Sequence, residues 1–275
     1  MPAYSVILDV PEALIAYLAR LLCTERKQRG TRRGTRLLTC RRQAVFVLSW
    51  FRDGTDVARL GRGFGLSRAT AYRYRDEGVE VLAAQAPELH DALERARRDG
   101  HNHLVLDGTL LACDRVRGTV ISRKGKEIDA WYSGKSHRFA GLLQALTAPN
   151  GIPLWLSEVR PGSTHDITAA RELVLAALLP YLKDLPVLAD CGYDGAAHGI
   201  YTPVKKRTDK VEHDPDTRTY NKLLRALRCL GERGFALLTR RWKSLQHITI
   251  SPERIGDLAR AALVLTQFEH KMITR

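Results

Sequence analysis

Residues 103–115 read HLVLDGTLLACDR, and the reading of that stretch decides the fold. Leu104, Val105 and Leu106 form a short apolar run without helical period, and Asp107-Gly108 supplies a stop signal behind it. The pattern predicts a strand closed by a carboxylate. A second stretch, LPVLADCGYDG at 185–195, repeats the design, with Val187, Leu188 and Ala189 closed by Asp190. Between the two, residues 118–148 (GTVISRKGKEIDAWYSGKSHRFAGLLQALTA) read as a basic hairpin followed by a second strand, and IPLWLSEV at 152–159 reads as a third. RPGSTHDITAARELVLAALLPYL at 160–182 reads as a loop and then a helix capped near Ser163 to Asp166. IYTPVKKR at 200–207 is a fifth strand, with Pro203 placing it at an edge or a bend. A long helix is predicted from Thr217 to Arg240, with an apolar stripe of Leu224, Leu227, Gly231, Phe235 and Leu238. A last helix runs from Glu253 to Phe268. Strands first, then a helix, a strand and more helices predict a mixed α/β layer fold.

Working outward toward the N-terminus, the texture becomes helical and basic. A helix is expected from Pro11 to Leu22, then an arm, RKQRGTRRGTR from Arg26, whose Gly30 and Gly34 suggest flexibility. Cys40 to Trp50 has helical apolar spacing, with Ala44, Val45, Val47, Leu48 and Phe51. Thr55 or Asp56 caps a short helix, Val57 to Phe64. Gly65-Leu66 makes a turn, and Ser67 caps a second helix running from Arg68 past Tyr74. This is a helix-turn-helix pattern, with Leu66 as core plug and Ala69 and Tyr72 packing inward. Arg68, Thr70, Arg73 and Arg75 would face DNA. A linker helix from about Gln85 to Gly100 leads into the strands.

The 275 residues carry 44 Lys and Arg against 30 Asp and Glu, a net charge of +14. The excess is grouped: fifteen basic residues against three acidic ones between Arg20 and Arg75, and twelve against five between Lys205 and Lys243. Clustered positive charge favours a polyanion, and nucleic acid is the commonest one. An apolar share of 44% is enough for a sizeable core, and the longest apolar runs fall far short of the ~20 residues of a membrane span. The N-terminus contains Asp9 and Glu12 and has no basic start, unlike a signal peptide. Five scattered cysteines without a C-x-x-C pair argue against a disulfide framework or a zinc site, and for a reducing compartment.

The chemistry is read from the acids. Sites in open α/β sheets gather where strands end, so Asp107 and Asp190, in equivalent places, are paired candidates. Glu232, beside the stripe of the long helix, is the third. Three carboxylates without His or Cys make an oxygen-donor site for Mg²⁺ or Mn²⁺ rather than zinc. Two such ions about 4 Å apart suit phosphodiester chemistry. Plainer roles compete: Asp107 and Asp190 as turn caps, Glu232 as a solvated partner of Arg228 or Arg233. Asp166 is a rival acid, assigned here to the helix dipole. His165 is a supporting residue, not a base. Asp194 lies close enough to Asp190 to be confused with it.

In their order, LVLDGT, GKSHRFAGLLQALTAPNG, PGSTHD, LADCGYDG and RALRCLGERGFALLTRRWKSL resemble the successive blocks of bacterial insertion-sequence DDE transposases of the Harbinger-like branch, over roughly residues 100–268. The resemblance implies a ribonuclease-H-like catalytic domain. It carries the three acids over to Asp107, Asp190 and Glu232, and implies nicking by activated water followed by attack of the freed 3′-hydroxyl on target DNA. Lys124, Lys126, Lys135 and Arg138 are candidate backbone contacts, and Arg228, Arg233 and Lys243 are candidates near the cut strand.

The expected protein therefore has a basic helix-turn-helix region over 1–90 and a ribonuclease-H-like domain over 91–275. Its fold class is α/β, a mixed sheet with flanking helices preceded by a small all-α region. It would act in a bacterial cytoplasm at the nucleoid, on double-stranded element ends and target DNA, as a homodimer or higher oligomer without membrane contact. The alternatives are a DNA-binding regulator or decayed remnant without catalysis, a nuclease of the same fold that cuts without joining, and, more distantly, a zinc hydrolase.

Overall fold

A computed structural model describes residues 8–122, 125–205 and 212–272, without the side chain of Glu232. In chain order the elements are α1 (Glu12–Gln28), α2 (Cys40–Asp53), α3 (Val57–Gly63), α4 (Arg68–Ala83), α5 (Leu89–Arg98), β1 (Leu104–Ala112), β2 (Thr119–Ile121), β3 (Glu127–Asp129), β4 (Tyr132–Ser133), β5 (Arg138–Thr147), β6 (Pro153–Leu156), β7 (Arg160–Pro161), α6 (Asp166–Leu173), α7 (Leu175–Leu178), β8 (Val187–Leu188), β9 (Ile200–Tyr201), α8 (Pro215–Arg241) and α9 (Ile255–Glu269). They form two compact units. One comprises residues 1–86, 238–246 and 257–275, and the other 87–237 and 247–256. No helix among the described residues is long and apolar enough to cross a membrane.

The first unit is helical. Thr39 caps α2, Asp56 caps α3 and Ser67 caps α4, each accepting a backbone N–H three residues on. Leu14, Leu18 and Leu22 of α1 and Phe46, Val47 and Phe51 of α2 are fully enclosed. The close approach of α3 and α4 depends on Gly61, where a Cβ would lie 2.5 Å from that of Ala71. The second turn of the unit, at Gly65, takes a φ of +72°, which suits glycine. The sequence reading placed the C-terminal stretch with the sheet. In the structure residues 238–246 and 257–275 cluster with the N-terminal helices instead. Buried Trp242 packs edge-on to Phe51 and donates through Nε1 to Thr266 Oγ1 at 2.9 Å, and Phe268 stacks against Tyr17.

Two expectations in this unit need correction. The inward face of α4 is Ala71, Tyr74 and Gly78, while Ala69 is exposed and Tyr72 only partly covered. Arg75 falls on that buried side at 5% exposure. Its guanidinium pairs with Asp76 and lies over the rings of Tyr72 and Trp50, so it is not presented outward. The start of the expected flexible arm is also structured. α1 continues through Gln28, and Arg26 donates to the Leu38 carbonyl at 3.1 Å. Arg36 pairs at 2.6 Å with Glu77, which is only 4% exposed and also accepts from Gln43.

The second unit is built on a seven-stranded mixed sheet. β1 pairs antiparallel with β5 and parallel with β8, and β8 pairs parallel with β9. β4, β7 and β6 follow one another along the far edge of β5. β2 and β3 form a separate exposed hairpin. The sequence signal of Asp107-Gly108 is overridden here. β1 runs on to Ala112, because β5 offers a partner to each residue from Val105 to Ala112. α8 crosses one face of the sheet, where Leu224 packs on Val105 and Leu188. Gly231 is required there, since a Cβ would lie 2.6 Å from Val105 Cγ1. Of the predicted stripe, Leu224 and Leu238 are buried and Phe235 half-buried, while Leu227 is exposed.

Candidate active site

The strand ladder brings the first two acids side by side. Val105 of β1 is level with Leu188 of β8, and Asp107 and Asp190 each follow two residues later, at the same end of the two neighbouring strands. Asp107 lies on the same face of β1 as Val105, because side chains alternate along a strand. That is the face on which α8 packs. Asp107 and Asp190 are both partly buried. Beyond Leu188 the chain turns into a short 3₁₀ segment, and Asp190 caps it by accepting the Gly192 N–H at 2.7 Å. The capping role weighed against a chemical one is therefore present, and it leaves the second carboxylate oxygen of Asp190 unengaged by that bond.

The residue that sequence reasoning set aside is Asp166. It does begin α6, where its charge suits the helix N-terminus. Its carboxylate also approaches Asp190, but from the face of β1 that Gly108 presents, opposite to that of Asp107. A Cβ on Gly108 would lie 2.2 Å from Asp166 Oδ1 and 3.1 Å from the Tyr193 hydroxyl. A Cβ on Gly192 would lie 2.8 Å from Asp190 Oδ1 and 3.6 Å from Asp166 Oδ2. Glycine directly after Asp107 thus makes room for Asp166, and glycine two residues after Asp190 lets Asp166 and Asp190 approach each other. That spacing is the only signal in the sequence that pointed to a crowded site.

Tyr193 is the buried floor of this arrangement. It is fully enclosed, and its hydroxyl donates to Gln144 Oε1 at 2.6 Å. Burial first, and then the negative charges of Asp166, Asp107 and Asp190, push its phenol far above the ordinary range. Tyr193 is therefore a permanently neutral donor that senses all three carboxylates. Asp166 is itself held above its ordinary value, by burial and by the charge of Asp190, with Lys135 opposing. Lys135 Nζ stands 3.7 Å from Asp166 Oδ2 while remaining largely exposed.

The other candidates distribute as follows. Glu232 belongs to α8, one residue from the Gly231 contact with β1, and its side chain lies outside the described part of the structure. Lys124 also lies outside the described residues. Lys126 is exposed in the β2–β3 turn, and Lys135 and Arg138 are exposed around the β4–β5 turn. Arg68 and Arg73 are exposed on α4, and Thr70 is partly buried, bonded to Ser67 and Arg73. Arg233 and Lys243 are exposed and Arg228 is partly buried. Asp194 pairs with Lys205 at 3.4 Å.

A family described as DDE superfamily endonuclease matches residues 106–267, more than half of the chain. The chain belongs to this family. The match begins one residue before Asp107 and spans Asp166, Asp190 and Glu232. Membership in the DDE family implies DNA as the substrate, and endonucleases of this superfamily generally use divalent metals. No curated protein and no solved structure matches the chain. Among the described residues, no three His, Cys, Asp or Glu side chains already stand closely enough to hold an ion. The donor chemistry nevertheless fits a hard divalent cation. Asp107, Asp166 and Asp190 all bear on the buried Tyr193, and carboxylate oxygens are the donors such a cation takes.

Proposed function

We propose that this protein is a transposase that binds the ends of a DNA element and carries out metal-dependent cleavage and strand transfer. The observation that carries the proposal is the placement of Asp107 on β1 and of Asp190 just past the end of the adjacent parallel strand β8, in a chain of the DDE endonuclease family. The sheet supports a ribonuclease-H-like reading, because three consecutive antiparallel strands, β1, β5 and β6, are followed by β8 laid parallel to β1. The capped helices α3 and α4, with Arg68 and Arg73 outward, support a helix-turn-helix that grips duplex DNA.

In this reading Asp107, Asp190 and Glu232 hold Mg²⁺ or Mn²⁺, two ions in the fully assembled site. Bound there, the cations supply activation of the attacking oxygen and stabilisation of the leaving oxygen. Asp166 adds a fourth carboxylate next to Asp190, and Lys135 keeps it in place. Tyr193 stays protonated and fixes the floor through Gln144. Lys126, Lys135 and Arg138 meet the phosphate backbone, as does Lys124.

The test is nicking of supercoiled plasmid in Mn²⁺, with binding measured separately. Asp107→Ala, Asp190→Ala and Glu232→Ala should each abolish nicking and leave duplex affinity within a few-fold. Nicking by Asp190→Ala at the parental rate would overturn the assignment. Salt-steep binding without Mn²⁺-dependent nicking in the parent would leave a DNA-binding regulator. Pre-cut ends that fail to join to target DNA would make the protein a nuclease instead.

A further inference from the structure

Beside the aspartates lies a cleft of about 520 Å³ whose lining differs in kind from theirs. One wall is apolar and includes Tyr132 and Ile128, which are 37% and 36% exposed. The Tyr132 ring is set edge-on against Phe139 at 5.4 Å, its partner across the β4–β5 ladder. Lys135, Arg138 and His165 line the same cleft. Gly108 and Asp166 also line the cleft, so it borders the one aspartate that approaches Asp190 from this face. The turn that presents Lys135 and Arg138 includes His137 at a φ of +52°, a left-handed conformation that non-glycine residues seldom adopt. Such backbone conformations collect at ligand sites.

We infer that this cleft receives one unstacked nucleotide of the DNA strand being cut, its base against Tyr132 and its phosphate on Lys135 and Arg138. The inference deepens the proposed function and rests on it for the identity of the strand. The volume lies in the range of small-ligand pockets. It is too small for a duplex, whose major groove alone is about 12 Å wide. A metal ion needs no apolar wall, and a free phosphate has no use for an exposed tyrosine braced by a second ring. A nucleotide needs both an aromatic or apolar face for its base and a cation for its phosphate. Extruding a base from a duplex costs least where pairing is already broken, so single-stranded DNA is the direct probe.

The experiment uses the full chain and a 12-nucleotide single-stranded DNA of mixed sequence carrying 5-iodouracil. After irradiation, crosslinks are mapped by mass spectrometry. The expected crosslink falls on Tyr132 or His165. Tyr132→Ala should weaken binding of this oligonucleotide about tenfold, and Tyr132→Phe should restore it. Duplex affinity, which draws on other surfaces, should stay within twofold in both variants. Crosslinks confined to peptides outside residues 128–138 and 163–166 would overturn the inference. So would unchanged single-strand affinity in a folded Tyr132→Ala protein. These readouts do not depend on cutting. Plasmid nicking in Mn²⁺ on the same preparation reports on the proposed function separately.

Discussion

The outer face of α4 and the aspartate cluster around Tyr193 both concentrate one sign of charge, and they bear it differently. Arg68 and Arg73 stand in water, where like charges repel weakly and are screened by salt. The arginine of that helix that does turn inward, Arg75, is accompanied by Asp76 and two aromatic rings. Asp107, Asp166 and Asp190 are partly withdrawn from water, and Lys135 stands beside Asp166. The basic face therefore costs folding little, whereas burial of the ionised Asp166 works against it. Stability and activity should be uncoupled on α4 and opposed at the sheet.

The largest test of that contrast is a double dissociation. Asp107→Asn or Asp190→Asn should lower Mn²⁺-dependent nicking on the order of 10³-fold, the equivalent of several kcal/mol of lost charge stabilisation. Duplex affinity should change little. Arg68→Ala and Arg73→Ala should do the reverse. Each should weaken duplex binding and reduce the slope of log affinity against log salt by about 1, with nicking at saturating DNA retained. Variants that lose both properties together would remove the distinction between the two regions.

Asp166→Asn sharpens the comparison within the acid cluster. Its carboxyl is held above the ordinary 3.8, so the folded protein holds that proton more tightly than the unfolded chain. The resulting stability is fully present below about pH 3.8 and is lost as pH rises through the raised value. At neutral pH without metal, Asp166→Asn should therefore melt higher, by about 2–4 °C for each kcal/mol relieved, while nicking falls. The melting difference between parent and variant should shrink on acidification. A lower melting temperature for Asp166→Asn at pH 7 would show that the carboxylate is held chiefly by favourable contacts.

Mn²⁺ provides a third measure. At a concentration 100 times the dissociation constant, the bound ion should add about 2.7 kcal/mol to the stability of the parent. The effect should be much smaller for Asp107→Asn. An equal Mn²⁺ shift in both proteins would move the cation away from β1. The smallest expected effect lies in the helical unit. Gly61→Ala places a methyl 2.5 Å from the Ala71 Cβ and should cost about 1–3 kcal/mol of stability, without altering nicking by the molecules that remain folded.

Much of this was legible in the chain before folding. Thr55 or Asp56, and Ser67, announce helix starts, and the helices begin there, capped by Asp56 and Ser67. The apolar runs before Asp107 and Asp190 announce strands, and both acids are carried there. These are signals of a few neighbouring residues: a cap three positions from its N–H, or an alternation of faces. Other outcomes depended on residues far away in sequence. β1 passes its Asp-Gly stop because β5 pairs along its whole length. Arg75 is turned inward by the packing of α4 on α2, since Trp50 lies under its guanidinium. Residues 238–246 and 257–272 fold with the N-terminal helices because Trp242 and Phe268 find Phe51 and Tyr17 there.

Asp166 marks the boundary most clearly. By itself the sequence determined that two aspartates end apolar runs, beside glycines small enough to admit a neighbour. Only the tertiary structure decided that the neighbour is the first residue of α6, because which helix start meets which strand is settled by strand order and loop closure. No window of local sequence contains that information.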